Sequence, residues 1–198
     1  YNVGADALLV NFKAVKFAFA PNAAGTGVDV TMEPALPNVA LGSALTLDTS
    51  APCDDWRDAL GAAFVDRGMA AAAHFDGRYP AACGAREWYV ALLDHPHYVQ
   101  GIFTATFAAA GGRFAGAVRE GRAPAHAAPF ATLESPPLYD IVRDVNKLSN
   151  NVMASELFLA LAAHTAPLPA TYAKAAAAVQ RWLAKAKMPM PELAIRNG

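Results

Sequence analysis

Cysteine and serine are both scarce in this chain of 198 residues, and each shortage narrows what it can be. The two cysteines, Cys53 and Cys83, stand alone rather than in a Cys-x-x-Cys pair, so a structural zinc site lacks its soft ligands. The only serines are Ser43, Ser50, Ser135, Ser149 and Ser155. None has lysine three residues later, and none lies in a Gly-x-Ser-x-Gly elbow. The zinc-peptidase pattern His-Glu-x-x-His is missing too. Charge is sparse, at 17% of residues with a net value of −1, and both signs are scattered. That excludes a basic stripe for nucleic acid and a polybasic patch for anionic lipid. No apolar run approaches the ~18 residues of a membrane span, so no transmembrane segment is expected. Tyr1 to Asp6 has neither the positive charge nor the apolar stretch of a signal peptide. Gly25-Thr26-Gly27 lacks the third glycine and following helix of a dinucleotide fingerprint, so it reads as a hairpin turn and no cofactor is expected.

What the chain does have is apolar content: 55% hydrophobic residues and a mean hydropathy of +0.20, enough for a substantial core in one domain or two lobes. Residues 5–95 carry β patterns. Expected strands are Ala7–Phe12, Val15–Phe19, Val28–Glu33, Ala44–Asp48, Ala62–Val65, Met69–Phe75 and Glu87–Leu93. Turn residues separate them, among them Pro21–Gly27, Asp66-Arg67-Gly68 and Asp76-Gly77. Asp54, Asp55 and Asp58 around Trp56 read as a solvated turn rather than a pair of catalytic acids. Cys53 and Cys83 lie 30 residues apart. They are either two independent thiols or a bridge worth roughly 3–4 kcal/mol by loop-closure entropy, and the residues alone leave both open.

After residue 95 the period changes to that of a helix. His97–Ala110 predicts a helix stopped at Gly111-Gly112. His95-Pro96-His97 has no carboxylate or third histidine at ligand spacing, so it reads as the approach to that helix and no metal is expected. Arg113–Val118 and Phe130–Glu134 read as short strands, and Leu193–Ile195 as the start of another. A last helix is expected over about 170–187, its buried face formed by Tyr172, Ala176, Val179, Leu183 and Ala186.

Between these elements lies the stretch that carries chemistry. Leu138, Ile141, Val142, Val145 and Leu148 form one apolar helical stripe, and Val152, Met153, Leu157, Phe158 and Leu161 form a second. Ser149-Asn150-Asn151 therefore sits at a break between two helices expected to be buried. On a continuous helix, side chains two apart diverge by roughly 200°. A bend between the helices allows Ser149 and Asn151 to face one cleft, whereas a plain helix stop and N-cap would use the same residues for structure. Lys147 reads as a solvated charge at a helix end.

Pro136 to Val142 followed by Asn146 to Ala154 resembles the second active-site segment of penicillin-binding proteins. The resemblance is to the D-alanyl-D-alanine carboxypeptidase/endopeptidase group with a domain inserted in the catalytic domain, the low-molecular-mass class C enzymes. Their motifs are Ser-x-x-Lys, Ser-x-Asn (commonly Ser-Asp-Asn) and Lys-Thr-Gly. Ser149-Asn150-Asn151 matches the second, with Asn at the middle position. The other two motifs do not occur, so the resemblance places these residues inside a longer protein, between the nucleophile and the third motif.

That resemblance implies an α+β fold. Residues 1–95 would be the latter part of a β-rich inserted domain, and 96–198 part of a β-lactamase-like transpeptidase domain. It implies a serine peptidase of the periplasm whose partners are peptidoglycan stem peptides ending in D-Ala-D-Ala and β-lactams. Ser149 would relay a proton in catalysis, and Asn151 would serve both catalysis and substrate binding. It also implies the Cys53–Cys83 disulfide. Two other readings predict different outcomes. A non-catalytic peptidoglycan-binding module would carry the scaffold without the missing motifs, and an unrelated secreted α+β domain would have helices that do not meet at Ser149.

Overall fold

The computed structural model describes residues 3–122, 124–188 and 190–196. It divides into two compact units, one of Val10–Arg122 and one of Tyr1–Leu9 with Ala123–Gly198.

The first unit holds six strands: β1 (Val15–Pro21), β2 (Val28–Glu33), β3 (Val39–Asp48), β4 (Leu60–Asp66), β5 (Ala71–Pro80) and β6 (Arg86–Val90). They form two three-stranded sheets, ordered β2-β1-β6 and β3-β5-β4. The first is antiparallel, with Phe17 opposite both Met32 and Trp88. In the second, β3 runs parallel to β5 and β4 antiparallel to it. Alternation along β1 explains the packing: Val15, Phe17 and Phe19 are fully buried, while Lys16 lies on the other face. Phe75 of β5 fills the space between the sheets, its ring 5.1 Å from that of Phe17 and 4.9 Å from that of Phe19. Both pairs are edge-on, the favoured aromatic geometry.

Cys53 and Cys83 are bonded to each other, tying the loop after β3 to the turn after β5. A helix, α1 (His95–Ala109), completes the unit. Asp94 caps it by accepting from the His97 N–H at 3.0 Å, and Gly111 ends it with φ +84°. Gly101 of α1 is buried against Asn38, whose Nδ2 donates to the carbonyls of Met69 (3.1 Å) and His97 (3.0 Å).

The second unit contains α2 (Leu138–Lys147), α3 (Asn151–Thr165) and α4 (Tyr172–Lys185). Ala162 and Ala175 are fully buried where α3 and α4 meet, and the rings of Phe158 and Tyr172 stack at 6.3 Å. Small residues let the two backbones approach. The Asp6 N–H donates to Glu156 of α3 at 2.7 Å, so the N-terminal stretch belongs to this unit. No described helix is long and apolar enough to cross a membrane.

Several expectations need correction. Ala7–Phe12 is not a strand; its end enters a tight turn, Asn11–Lys13, in which all three residues have positive φ. Arg113–Val118, Phe130–Glu134 and Leu193–Ile195 are irregular. A strand exists only where another strand takes up its N–H and C=O groups, and among the described residues these segments have no such neighbour. The stripe on α2 is present, but of its members only Val145 is buried; Leu138, Val142 and Leu148 are exposed. On α4 the buried line runs through Ala175, Ala178 and Leu183, with Tyr172 and Ala186 exposed. Ala176 and Val179 of the expected face are half-buried beside that line, and Tyr172 reaches α3 through its ring on Phe158.

Candidate active site

Ser149 lies between α2 and α3 with φ +49°. Its own N–H donates to Asn146 O at 3.3 Å, and the N–H of Asn150 donates to Val145 O at 3.0 Å. This pair of bonds is a Schellman closure, in which the residue after the cap takes the left-handed conformation and satisfies the last carbonyls. Glycine is the usual occupant, because an L-residue there costs about 1–2 kcal/mol. In α1 the same place is held by Gly111, with Gly112 N–H to Phe107 O at 2.8 Å. In α4 it is held by Lys187 at φ +57°, with Met188 N–H to Leu183 O at 3.0 Å. Left-handed backbone alone therefore does not single out Ser149. What does is the chemistry that the turn presents.

Asn150 is the N-cap of α3: its Oδ1 accepts from the Met153 N–H at 3.1 Å, and its carbonyl accepts from Ala154 N–H at 3.0 Å. The structural role available to the triad thus falls on its middle residue. Asn and Asp cap helices about equally well, which explains why either can stand at that position. Asn151 is the first residue of α3 and is exposed, as is Ser149. Among the described residues, neither the Ser149 hydroxyl nor the Asn151 carboxamide takes a hydrogen bond. Both lie at the N-terminal end of a 15-residue helix, where free N–H groups and the macrodipole favour negative charge.

This arrangement has definite chemical capacity. A hydroxyl both gives and accepts a proton, while a carboxamide offers two N–H donors and a carbonyl acceptor on one plane. Ser149 has no histidine or carboxylate hydrogen-bonded to it among the described residues, so nothing here makes it a nucleophile. Lys147 is exposed in the last turn of α2, as a helix-end charge should be. The sequence indicated the stop and cap at this turn, but not that Asn150 alone would supply the cap and leave its two neighbours unspent. The chain has an α+β fold of the kind seen in penicillin-binding-protein structures. Two crystal structures of penicillin binding protein 4 from Haemophilus influenzae, one complexed with a novel β-lactam, are similar to it. The complex covers 95% of this chain at a TM-score of 0.65 and 19% identity, and the other structure 94% at 0.66 and 18%.

The chain belongs to the D-Ala-D-Ala carboxypeptidase 3 (S13) family, whose model matches residues 1–198. It spans 42% and 40% of the lengths of the two solved neighbours. No curated protein matches it. The expected α+β fold is therefore the fold found.

Proposed function

We propose that these residues form part of a serine-type D-Ala-D-Ala carboxypeptidase/endopeptidase that acts on peptidoglycan stem peptides in the periplasm and is acylated by β-lactams. The nucleophile and its lysine would come from a Ser-x-x-Lys motif, and a third motif from Lys-Thr-Gly, both outside this chain. The observation that carries the reading is the division of labour at the turn: Asn150 caps α3 and, with the Ser149 N–H, closes α2, leaving the Ser149 hydroxyl and the Asn151 carboxamide without a hydrogen-bond partner among the described residues.

In this mechanism the nucleophilic serine gives its hydroxyl proton to the lysine of its motif, which hands a proton on through Ser149, while the serine Oγ adds to the carbonyl carbon of the penultimate D-Ala. The C–N bond to the terminal D-Ala breaks, and Ser149 passes a proton to the leaving nitrogen. Asn151 donates its amide hydrogens to the substrate carbonyl, and its Oδ1 orients the nucleophile's lysine. Water then cleaves the acyl ester. A β-lactam acylates the same serine, but its leaving nitrogen stays tethered. Residues 1–95 would be the latter part of an inserted domain and 96–198 part of the catalytic domain. The exposed stripe of Leu138, Val142 and Leu148 supports this, since an apolar helix face on a peptidase fragment is the surface that further catalytic elements would cover.

The test is release of D-Ala from a D-Ala-D-Ala-terminated peptide. The full-length protein should release it. The 198-residue chain should not, because removing the nucleophile of a serine hydrolase costs on the order of 10⁶ in rate. Hydrolysis by the isolated chain, or none by a full-length protein that carries both missing motifs, would refute the reading.

A further inference from the structure

The four edges of the two sheets are not alike. β2 carries Asp29, Thr31 and Glu33 as its exposed residues, and β6 opens on Arg86 and Glu87. β3 is met by the turn before β2, through a bridge between Gly27 and Thr46. Charge and cover of this kind are how sheets keep their edges from pairing with another chain. β4 has neither. Between Leu60 and Val65 it reads Gly-Ala-Ala-Phe, with no charge and no proline, and Phe64 and Val65 are 37% and 47% exposed.

The ladder to β5 fixes which groups that edge presents. The Arg78 N–H donates to Ala59 O at 3.4 Å, so the bonded pairs continue as Gly61–Asp76, Ala63–His74 and Val65–Ala72. Antiparallel pairing alternates, which turns the N–H and C=O groups of Leu60, Ala62, Phe64 and Asp66 away from β5. The Leu60 N–H agrees with that direction, since it donates to Arg57 O at 3.2 Å. Among the described residues no strand takes up the other groups. Side chains are sorted by the same alternation. The Phe64 ring lies inward, 5.6 Å from that of Trp88 and 5.8 Å from that of Phe75, while Ala63 and Val65 face out opposite His74 and Ala72.

We propose that β4 pairs with β4 of a second copy of this chain, antiparallel about a two-fold axis, joining two three-stranded sheets into one of six strands. Inward residues must meet inward residues if both cores are to stay on one side of that sheet. One such register overlaps the strand completely. Ala63 sits on the axis opposite itself, with Ala62 opposite Phe64, Gly61 opposite Val65 and Leu60 opposite Asp66. The larger side chains, Phe64 and Val65, each meet a small one. Ala62 and Phe64 exchange two hydrogen bonds on each side of the axis, and the Asp66 N–H reaches Leu60 O at each end. The antiparallel direction also brings Arg67 of each copy beside the turn of Asp54, Asp55 and Asp58 in the other, where a parallel pair would set acid against acid. One strand of 7 residues makes a contact smaller than the roughly 1,200 Å² of a standard interface, so the dimer is weak and forms at roughly 10–100 μM. The inference uses neither Ser149 nor Asn151, and it stands or falls separately from the peptidase reading.

The test is sedimentation equilibrium of the full-length protein from about 1 μM to 1 mM, with hydrogen exchange of the β4 amides followed over the same range. The parent should dimerise. The amides of Ala62, Phe64 and Asp66 should gain protection as concentration rises, while those of Ala63 and Val65 stay protected throughout. Ala62→Pro removes an N–H that β5 does not use, so the ladder is kept and the dimer should weaken about tenfold or more. Ala63→Lys and Ala63→Glu bring like charges together at the axis, and each should weaken the dimer about tenfold. An equimolar mixture of those two variants should dimerise at least as tightly as the parent. Unchanged exchange at Phe17, Phe19 and Phe75 shows that the β-rich unit of each variant is folded. A parent that stays monomeric would overturn the proposal, as would a dimer that survives Ala62→Pro or both Ala63 variants unchanged, or a mixture that stays monomeric. Protection at Ala62 and Phe64 that does not vary with concentration would also overturn it, since another part of the same protein would then cover the edge.

Discussion

The main-chain N–H of Asn150 donates to Val145 O at 3.0 Å while the side chain of the same residue caps α3, so Asn150 closes one helix and opens the next. The turn it fixes holds Ser149 in the left-handed conformation. The Ser149 hydroxyl and the Asn151 carboxamide take no structural hydrogen bond among the described residues, and that separation of roles is what makes the triad a candidate site rather than a connector.

Replacing Ser149 by glycine should leave stability level or raise it by up to about 1 kcal/mol, as the relief of positive φ is offset by the greater freedom of the unfolded glycine. Lys187→Gly, at the same backbone position of α4, should behave alike in urea unfolding. The two variants should part in the full-length protein, where only Ser149→Gly loses penicillin acylation. Equal loss, or equal retention, would mean that the hydroxyl does nothing beyond occupying the turn.

Gly101→Ala should destabilise, against the usual gain for alanine in a helix of about 0.5–1 kcal/mol. A Cβ at Gly101 meets the Asn38 Oδ1 and comes within 3.3 Å of Leu36 Cδ2. Asn38 cannot give way without breaking its bonds to Met69 and His97. Overpacking of this kind costs about 1–3 kcal/mol, read as a lower urea midpoint. A raised midpoint would show that Asn38 moves freely.

Reducing the Cys53–Cys83 bond, or replacing both residues by serine, removes the constraint on a loop of 30 residues. The expected loss is roughly 3–4 kcal/mol in the stability of the β-rich unit. Thermal unfolding that is the same with and without reductant would contradict it.

Asp48 accepts from the Ser50 hydroxyl at 2.7 Å and from the N–H groups of Ser50 and Ala51 at 2.9 and 3.1 Å. The Ser50 hydroxyl, then the backbone N–H bonds, hold its carboxyl below the usual aspartate range. A carboxyl lowered on folding adds stability at pH values above its unfolded pKa of about 3.9, and that stability is lost as the pH falls through the folded value. Urea midpoints of the parent should therefore drop below about pH 4 more steeply than those of Asp48→Asn. Parallel curves would sink the assignment.

Much of this architecture could be read from local pattern. Val15–Phe19 and Val28–Glu33 alternate, and alternation survives folding because a sheet needs one apolar face. Phe130–Glu134 has the composition of a strand but no partner edge, and pairing is not written in a single segment. The stripe on α2 was legible while its exposure was not, since burial depends on what else packs there. Asn11–Lys13 contains no glycine to announce positive φ, so the strained turn left no sequence signal. At the triad, stop and cap were both foreseeable from Ser and Asn. Only coordinates could tell which asparagine does the capping.

The acylation rate of the full-length protein with a fluorescent penicillin, compared across Ser149→Ala, Asn151→Ala and Asn150→Asp, decides whether the two free side chains of the turn do chemistry. Losses of about 10²-fold or more are expected for the first two, the scale of a lost proton relay or positioned donor, and near-parental acylation for Asn150→Asp, whose cap is kept. Acylation that survives Ser149→Ala and Asn151→Ala at parental rate would contradict that chemistry.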